Sequence, residues 1–296
     1  MEISHLKVFL AVSELGTVSD AARQLNCVQS NVTARIKNLE SELGLELFYR
    51  KPRGMVATPA GRMLINYARK IIHLEKEAKK ILTDSNSVQG SLIVGAFESV
   101  AAVRFPVILA RFHRIYPQVD LSLITASSTE LCRKVLDYQI DGAFVSDAYK
   151  QAGLDYAPAF YEKLVLVCPA GKPPEETAQK KGVLVFPKPC AYRERLEQWF
   201  EISGLTLKKK MELGTVDGMM KCVAAGMGMG VLPLTTVESA ISLNTVSIYP
   251  LGKDLESVPI MFVKRKDTLI SKPLESFIKV LTDLKTELFD PKLKSA

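Results

Sequence analysis

Apolar residues near the N-terminus recur at the spacing of short helices. Ala21, Ala22 and Leu25 give one helix a small apolar face, and Val28, Val32, Ile36 and Leu39 lay a second stripe along the next. The segment from Thr17 to Glu40, TVSDAARQLNCVQSNVTARIKNLE, therefore predicts two helices joined by a tight turn, both stripes meeting in one core. Leu43, Leu45, Leu47 and Phe48 extend that core. A longer helix is predicted from Ala60 to Leu82, where Leu64, Ala68, Ile71, Glu75, Ala78 and Leu82 alternate steps of four and three. That spacing predicts a coiled-coil seam interrupted at Glu75, with a connector helix lying on its own domain as the alternative. Ser85 to Gly90, SNSVQG, reads as a hinge.

Beyond Gly90 the period changes to that of alternating strands and helices. SLIVGAF, VDLSLIT and DGAFV read as strands, separated by helices from Val100 to Ile115, ended by Pro117, and from Leu131 to Tyr138. A second set starts near Leu164 with LVLVC and continues through GVLVF, a helix from Arg193 to Ile202, MEL, a helix from Gly218 to Ala225, and MGVLP. Two α/β lobes are implied, each with a mostly parallel sheet covered by helices.

The polar positions supply the chemistry. On the second N-terminal helix the apolar stripe leaves Gln29, Ser30, Asn31, Thr33, Arg35 and Lys37 outside, groups able to bond base edges and phosphates in a major groove. An ordinary solvated helix face is the other reading. YRKPRGMVATPAG then carries Arg50, Lys51 and Arg53 into a Pro/Gly turn, a basic wing whose Arg53 suits a minor groove or phosphate. The order of parts, LKVFLAV, AARQL, QSNVTARIKNLESELGLELFYR and TPAG, resembles the winged helix of LysR-type transcriptional regulators. The resemblance continues through FHRIYPQVDLSL, IDGAFV, LVLVCP, CAYRERLEQW, AAGMGMGVLP and VKRKD.

That resemblance implies an α/β protein in three parts: a mostly α winged helix-turn-helix over residues 1–60, a linker helix and hinge over 61–90, and a periplasmic-binding-protein-like effector domain over 91–296. Lobe I of that domain would hold 91–163 and 265–296, and lobe II 164–264, the chain returning to lobe I near Met261. It further implies double-stranded promoter DNA as a partner, a homodimer through the linker helix that pairs into a tetramer, and RNA polymerase as a further contact. There are departures from the family pattern. Val28 replaces a small polar residue before Gln29, Ala34 replaces a polar or basic one, and Pro189 stands where glycine is familiar ahead of Cys190.

Charge fits DNA as a partner: the chain is +7, and residues 1–90 hold 13 Lys and Arg against 9 Asp and Glu, or +4. No apolar run spans a bilayer and Glu2, His5 and Lys7 interrupt any export signal, so a cytoplasmic protein is expected. Five scattered cysteines without C-x-x-C spacing argue against disulfides and structural zinc, and three isolated histidines offer no catalytic or metal cluster. No enzyme chemistry and no cofactor are expected.

Ligands of open α/β sheets sit beyond the carboxyl ends of strands, where helix N-termini favour anions. Glu98 and Ser99, Ser127 and Ser128, Cys190 to Arg193, and Gly214 to Val216 occupy such junctions. Ser99, Ser127, Ser128, Cys190, Tyr192, Arg193 and Thr215 are thus the candidate contacts for a small anionic effector. Each hydroxyl is equally what helix capping requires, and Arg193 has Glu194, Glu197 and Asp217 as alternative partners. Cys190 at a helix start is a candidate redox thiol, with Cys222 as a partner, or else a small packed residue. AGMGMG, Ala225 to Gly230, precedes a strand rather than opening a helix, so it reads as a helix stop and not as a phosphate loop.

Overall fold

A computed structural model describes residues 1–52, 54–82, 87–146, 150–207, 209–267 and 270–284. The chain divides into two compact units, one built on Met1–Asn86 and the other on Ser87–Leu136 and Ile140–Ala296.

In the first unit, α1 (Ile3–Leu15), α2 (Val18–Gln24) and α3 (Gln29–Leu43) precede a two-stranded antiparallel wing of β1 (Phe48–Lys51) and β2 (Gly54–Ala57), and α4 (Pro59–Leu82) follows. Thr17 starts α2 by accepting the Asp20 N–H at 3.1 Å and donating to the Asp20 carboxylate at 2.6 Å. Gly16, at φ 74°, ends α1 in the left-handed conformation that lets the chain turn directly into that cap. Leu6, Phe9, Val12, Ala21, Ala22, Val32, Ile36 and Leu39 fill the core, and the rings of Phe9 and Phe48 stand 5.3 Å apart, tying α1 to the wing.

The start of α4 explains the TPAG motif. Buried Thr58 donates to the Glu46 carbonyl at 2.8 Å and accepts the Gly61 N–H at 3.0 Å. Pro59 then stands at the first helical position, where a missing N–H costs nothing. Gly61 passes so close to the wing that a Cβ there would meet the Leu47 carbonyl oxygen at 2.3 Å.

Along α4, the expected seam is occupied from within. Leu64, Ala68, Ile71 and Ile72 pack against the winged-helix core. Glu75 pairs with Lys7 of α1 at 3.6 Å, and with Lys79. The apolar ridge left in solvent lies one residue earlier, at Met63, Tyr67 and Leu74, which are 69%, 65% and 46% exposed. Helical spacing was right, but α1 claims the predicted stripe; Leu82's side chain and residues 83–86, with part of the expected hinge, lie outside the described residues.

In the second unit, β3 (Gly90–Ala96) is followed by a π-helical turn over Val100–Arg104 and α5 (Phe105–Ile115), then β4 (Val119–Thr125), α6 (Ser128–Leu136) and β5 (Gly142–Ser146). The one expected helix from Val100 to Ile115 is thus divided; Pro106 has no N–H to continue a uniform ladder, and the Phe105 N–H reaches back to the Val100 carbonyl. Next come β6 (Leu154–Pro169), α7 (Pro174–Lys180), β7 (Val183–Val185), α8 (Ala191–Ile202), β8 (Lys210–Glu212), α9 (Val216–Ala224), β9 (Gly230–Pro233), α10 (Leu234–Ser242), β10 (Val246–Pro250), β11 (Ser257–Arg265) and α11 (Lys272–Leu284). Residues 285–296 lie outside the described ones.

Strand β6 makes two lobes of this list. Its first half, to Lys163, pairs with β11 in lobe I, in the order β4-β3-β5-β11-β6. From Leu164 it pairs with β9 and from Val165 with β10 in lobe II, where β7 and β8 run parallel and a Val183 to Met229 bridge joins them on. The strand crosses over at Leu164, and the chain returns to lobe I at Ser257, ahead of Met261. Only β3, β4 and β5 are parallel in lobe I; β11 and β6 are antiparallel. Lobe I is packed by Phe105, Phe112, Phe144, Phe262 and Phe277, and lobe II by Val165, Val167, Met219, Val223, Leu232 and Val237.

Gly61→Ala should destabilise the winged-helix unit by about 2 kcal/mol or more, since its Cβ meets backbone and not a movable side-chain tip. Thermal unfolding of the full chain measures this, and an unchanged Tm would show that the close approach is not constrained.

Candidate functional sites

The first site is the outer face of α3. At about 100° per residue, Gln29, Thr33, Lys37 and Ser30 form one continuous stripe along one side of the buried Val32, Ile36 and Leu39. Gln29, Ser30 and Lys37 are exposed; Asn31, Thr33 and Arg35 are half-buried. Arg35 lies on the opposite shoulder of the helix, so the six polar candidates do not share one stripe. Thr33 donates to the Gln29 carbonyl at 3.0 Å, which leaves its hydroxyl oxygen as an acceptor toward any ligand. Beside the stripe, Thr17, Val18, Ser19, Thr33, Arg50, Lys51 and Met55 line a concavity of about 420 Å³.

The wing is aimed by backbone contact. The Met55 N–H donates to the Gly16 carbonyl at 2.7 Å, and a Cβ on Gly54 would meet that same oxygen at 2.4 Å. Arg50 is exposed, 3.9 Å from Glu40, while Glu40 also accepts the Leu47 and Phe48 N–H groups at 2.8 and 3.3 Å. Helix α3 and the wing therefore move as one piece. Arg53, the candidate for minor groove or phosphate, lies outside the described residues.

The second site is a cleft of about 480 Å³ between the lobes of the second unit. Phe97, Glu98 and Ser99 enter it after β3, Thr125 to Ser128 after β4, Ser146 at the end of β5, Phe186 to Tyr192 ahead of and within α8, and Gly214 and Thr215 ahead of α9. All are at the carboxyl ends of strands, as the topology rule requires. Two hydrogen bonds cross the cleft. Ser99 Oγ and the Tyr192 hydroxyl are 3.0 Å apart, and Glu98 accepts the Val216 N–H at 3.0 Å.

Several cleft hydroxyls share one state. Ser127 Oγ accepts the Glu130 N–H at 3.3 Å, Ser128 Oγ the Ser146 N–H at 3.2 Å, and Thr215 Oγ1 the Gly218 N–H at 3.1 Å. Each accepts one backbone N–H and keeps its own proton to donate. Ser146 Oγ is buried with no hydrogen-bond partner among the described residues. The hydroxyls that line the cleft thus present several protons that the described residues leave available to a ligand. Burial raises the Tyr192 hydroxyl well above its ordinary range, keeping it protonated as a donor.

The family profile for the LysR substrate binding domain matches residues 85–285, and that for the bacterial regulatory helix-turn-helix protein, lysR family, matches residues 3–62. The chain belongs to the LysR family of transcriptional regulators. It is 42% identical over 286 residues to the uncharacterized HTH-type transcriptional regulator YusT of Bacillus subtilis (strain 168), covering 97% of each chain. Its fold is similar to that of a full-length OxyR variant from Pseudomonas aeruginosa, with a TM-score of 0.75 at 21% identity over 96% of this chain and 94% of that one. It is also similar to full-length CbnR complexed with its target DNA, with a TM-score of 0.68 at 22% identity over 96% and 99%. The protein is a LysR-type DNA-binding transcriptional regulator with an effector-binding domain.

Within this LysR-type frame, three sequence expectations change. Arg193 does not line the cleft. Its guanidinium is 6% exposed and donates to Glu212 at 2.7 Å, Glu197 at 3.0 Å and the Phe186 carbonyl at 3.2 Å. Burial opposes its charge, and the two carboxylates more than offset this, so its pKa rises. It braces α8 against β8, and the cation expected to hold an anion is turned away. Cys190 lines the cleft, but burial raises its thiol despite the N–H groups of Arg193 and Tyr192, the reverse of an activated redox thiol. Val28, placed on the core stripe by its spacing, is the residue before the first turn of α3 and is 67% exposed. It stands beside Gln29 as an apolar group fit for a thymine methyl, a role that helical periodicity hides because it counts one turn too far.

Metal is a separate matter: no group of three His, Cys, Asp or Glu side chains is placed to hold an ion among the described residues. No helix among those residues is long and apolar enough to cross a membrane.

Arg193→Ala should lower the stability of the second unit by about 1–3 kcal/mol through lost charge-assisted hydrogen bonds. Its signature is a reduced Tm without ligand, and a normal Tm with selective loss of ligand binding would reverse the assignment. Val28→Ser should leave unfolding stability within about 0.5 kcal/mol of the parent and change base preference at one position of a randomised DNA site.

Proposed function

We propose that this regulator answers a small oxyanion, a carboxylate in the simplest case, held in the cleft by neutral donors. The observation that carries this is the set of hydroxyl protons left to donate by Ser127, Ser128, Ser146 and Thr215, with one more from the mutually bonded Ser99 and Tyr192. An acceptor-rich ligand takes up these protons, which no donor-only ligand can. The N-termini of α6, α8 and α9 converge on the same space and favour negative charge there. Phe97, Phe186, Pro187 and Pro189 offer the ligand an apolar wall.

Toward DNA, Gln29, Ser30, Thr33 and Lys37 are the readers of the major groove, Val28 their apolar neighbour, and Arg50 a phosphate contact. The exposed ridge of Met63, Tyr67 and Leu74 on α4 is the face for a second copy, giving a dimer that reads two half-sites and pairs further into a tetramer. Such a protein works in the cytoplasm, where promoter DNA and RNA polymerase are found. Effector binding biases the cleft toward one arrangement of its lobes and so shifts the population of assemblies on DNA.

Footprinting on the DNA flanking the protein's own gene, over a panel of small carboxylates and inorganic oxyanions, tests the reading. A protected site whose extent changes with one oxyanion supports it; response only to cations or neutral apolar molecules would overturn it. Ser128→Ala should weaken the active oxyanion by about tenfold, one charge-assisted hydrogen bond, as read by calorimetric titration. Gln29→Ala should leave that titration unchanged while relaxing base preference at one position, at a cost of about 1–3 kcal/mol in DNA affinity.

A further inference from the structure

The cleft contains one group that an oxyanion alone does not explain. Glu98 is the one acidic side chain among the described residues lining it, half-buried between the lobes. Of the roughly four lone-pair positions on a carboxylate, one is used, by the Val216 N–H at 3.0 Å. No cation among the described residues acts on it. Burial raises its pKa, the Val216 N–H lowers it, and the charge that acts on it, Asp217, has the same sign. Lys188, the one basic residue lining the cleft among those described, is 3.1 Å from Glu197 and engaged there. An acid held in a ligand-sized cavity without a counter-charge is unfavourable until something positive enters.

A second observation is independent of Glu98. Ser146, 5% exposed, places an unpartnered Oγ against the same cleft. Buried hydroxyls are normally bonded, so this one awaits a polar group that the described residues do not supply. The cleft therefore offers three kinds of complement at once: hydroxyl donors for an oxyanion, a carboxylate for a cation, and a wall of Phe97, Phe186, Pro187 and Pro189 for an apolar body.

We propose that the effector is an amino acid with an apolar side chain, its ammonium group bound by Glu98 and its carboxylate by the hydroxyls around Ser128 and Ser146. This rests on the cleft being the oxyanion-binding effector site, and adds the positive group to it. Glu98 is then the residue that sets specificity, separating an amino acid from the same acid without its amine. A plain carboxylate would leave Glu98 unpaired, with two like charges in one cavity.

The test uses the full-length protein and matched pairs of probes, L-leucine with 4-methylpentanoate and L-phenylalanine with 3-phenylpropanoate, titrated calorimetrically. For at least one pair, the amino acid should bind about tenfold or more tightly than its deaminated partner, the size of one charge-assisted contact. Glu98→Gln keeps an oxygen for the Val216 N–H, so α9 stays capped, and should bring the two affinities of that pair together. Equal or reversed affinities in the parent protein, or a preference that Glu98→Gln leaves intact, would overturn the role of Glu98 while leaving the oxyanion site standing. Failure of all four probes to bind would overturn the amino-acid assignment. The oxyanion site would fall with it only if the wider panel of carboxylates and inorganic oxyanions were silent too. Should Glu98→Gln not fold, as its Tm would reveal, the parent's preference within each pair decides alone.

Discussion

A single strand determines what the second unit can do. Because β6 pairs with β11 as far as Lys163 and with β9 and β10 beyond it, the two sheets share a continuous hydrogen-bonded backbone. The cleft is the space this arrangement leaves at the strand ends, and every side chain in it is positioned by a strand terminus or a helix start. The bulge where Pro158 and Phe160 face Met261 and Ile260 lets a proline sit within the strand without breaking the ladder elsewhere. Near the crossover, buried Glu162 meets Arg104 at 3.1 Å. Burial raises the Glu162 carboxyl and Arg104 draws it down, so the pair holds the end of the π-helical turn against β6.

The first unit follows a different logic, in which backbone contacts replace a shared strand. Glu40 bonds the start of β1, Gly16 receives Met55, and Thr58 joins the wing to α4. These fix the angle between α3 and the wing with few side chains, leaving the outer residues of both free to vary with the DNA they read. Phe9, Val12 and Leu39 could be replaced only with similar volumes, whereas Ser30 and Lys37 carry little of the fold.

Much of this was legible in the sequence, for identifiable reasons. The helix pair and TPAG were readable because capping, small-residue contacts and helical period are local. Strands such as VDLSLIT and DGAFV were readable as apolar runs between turn residues. The first half of β6, LDYAPAFYEK, was not, since a proline and charged residues mask a strand whose partners lie about a hundred residues away. Strand β10 and helices α7 and α10 were missed for similar reasons of tertiary context. At the sites, residue positions were legible but directions were not. Ser99, Ser127, Ser128, Tyr192 and Thr215 lie where the topology rule puts them, while Arg193 turns to Glu197 and Glu212 because its burial demands paired charge. The linker stripe shows the same thing: spacing fixes a period, and α1 decides which face of α4 is covered.

The inward turn of Arg193 has a consequence for how the protein meets ionic strength. Contacts from lysine and arginine to phosphate release counterions, so DNA binding weakens steeply as salt rises. Neutral hydroxyls and a partly buried charge line the cleft, and such groups are screened much less by mobile ions. The two recognition events therefore respond to different properties of the same solution. A rise in salt loosens the protein from DNA as a whole, while a ligand held by the groups of the cleft would be read nearly unchanged.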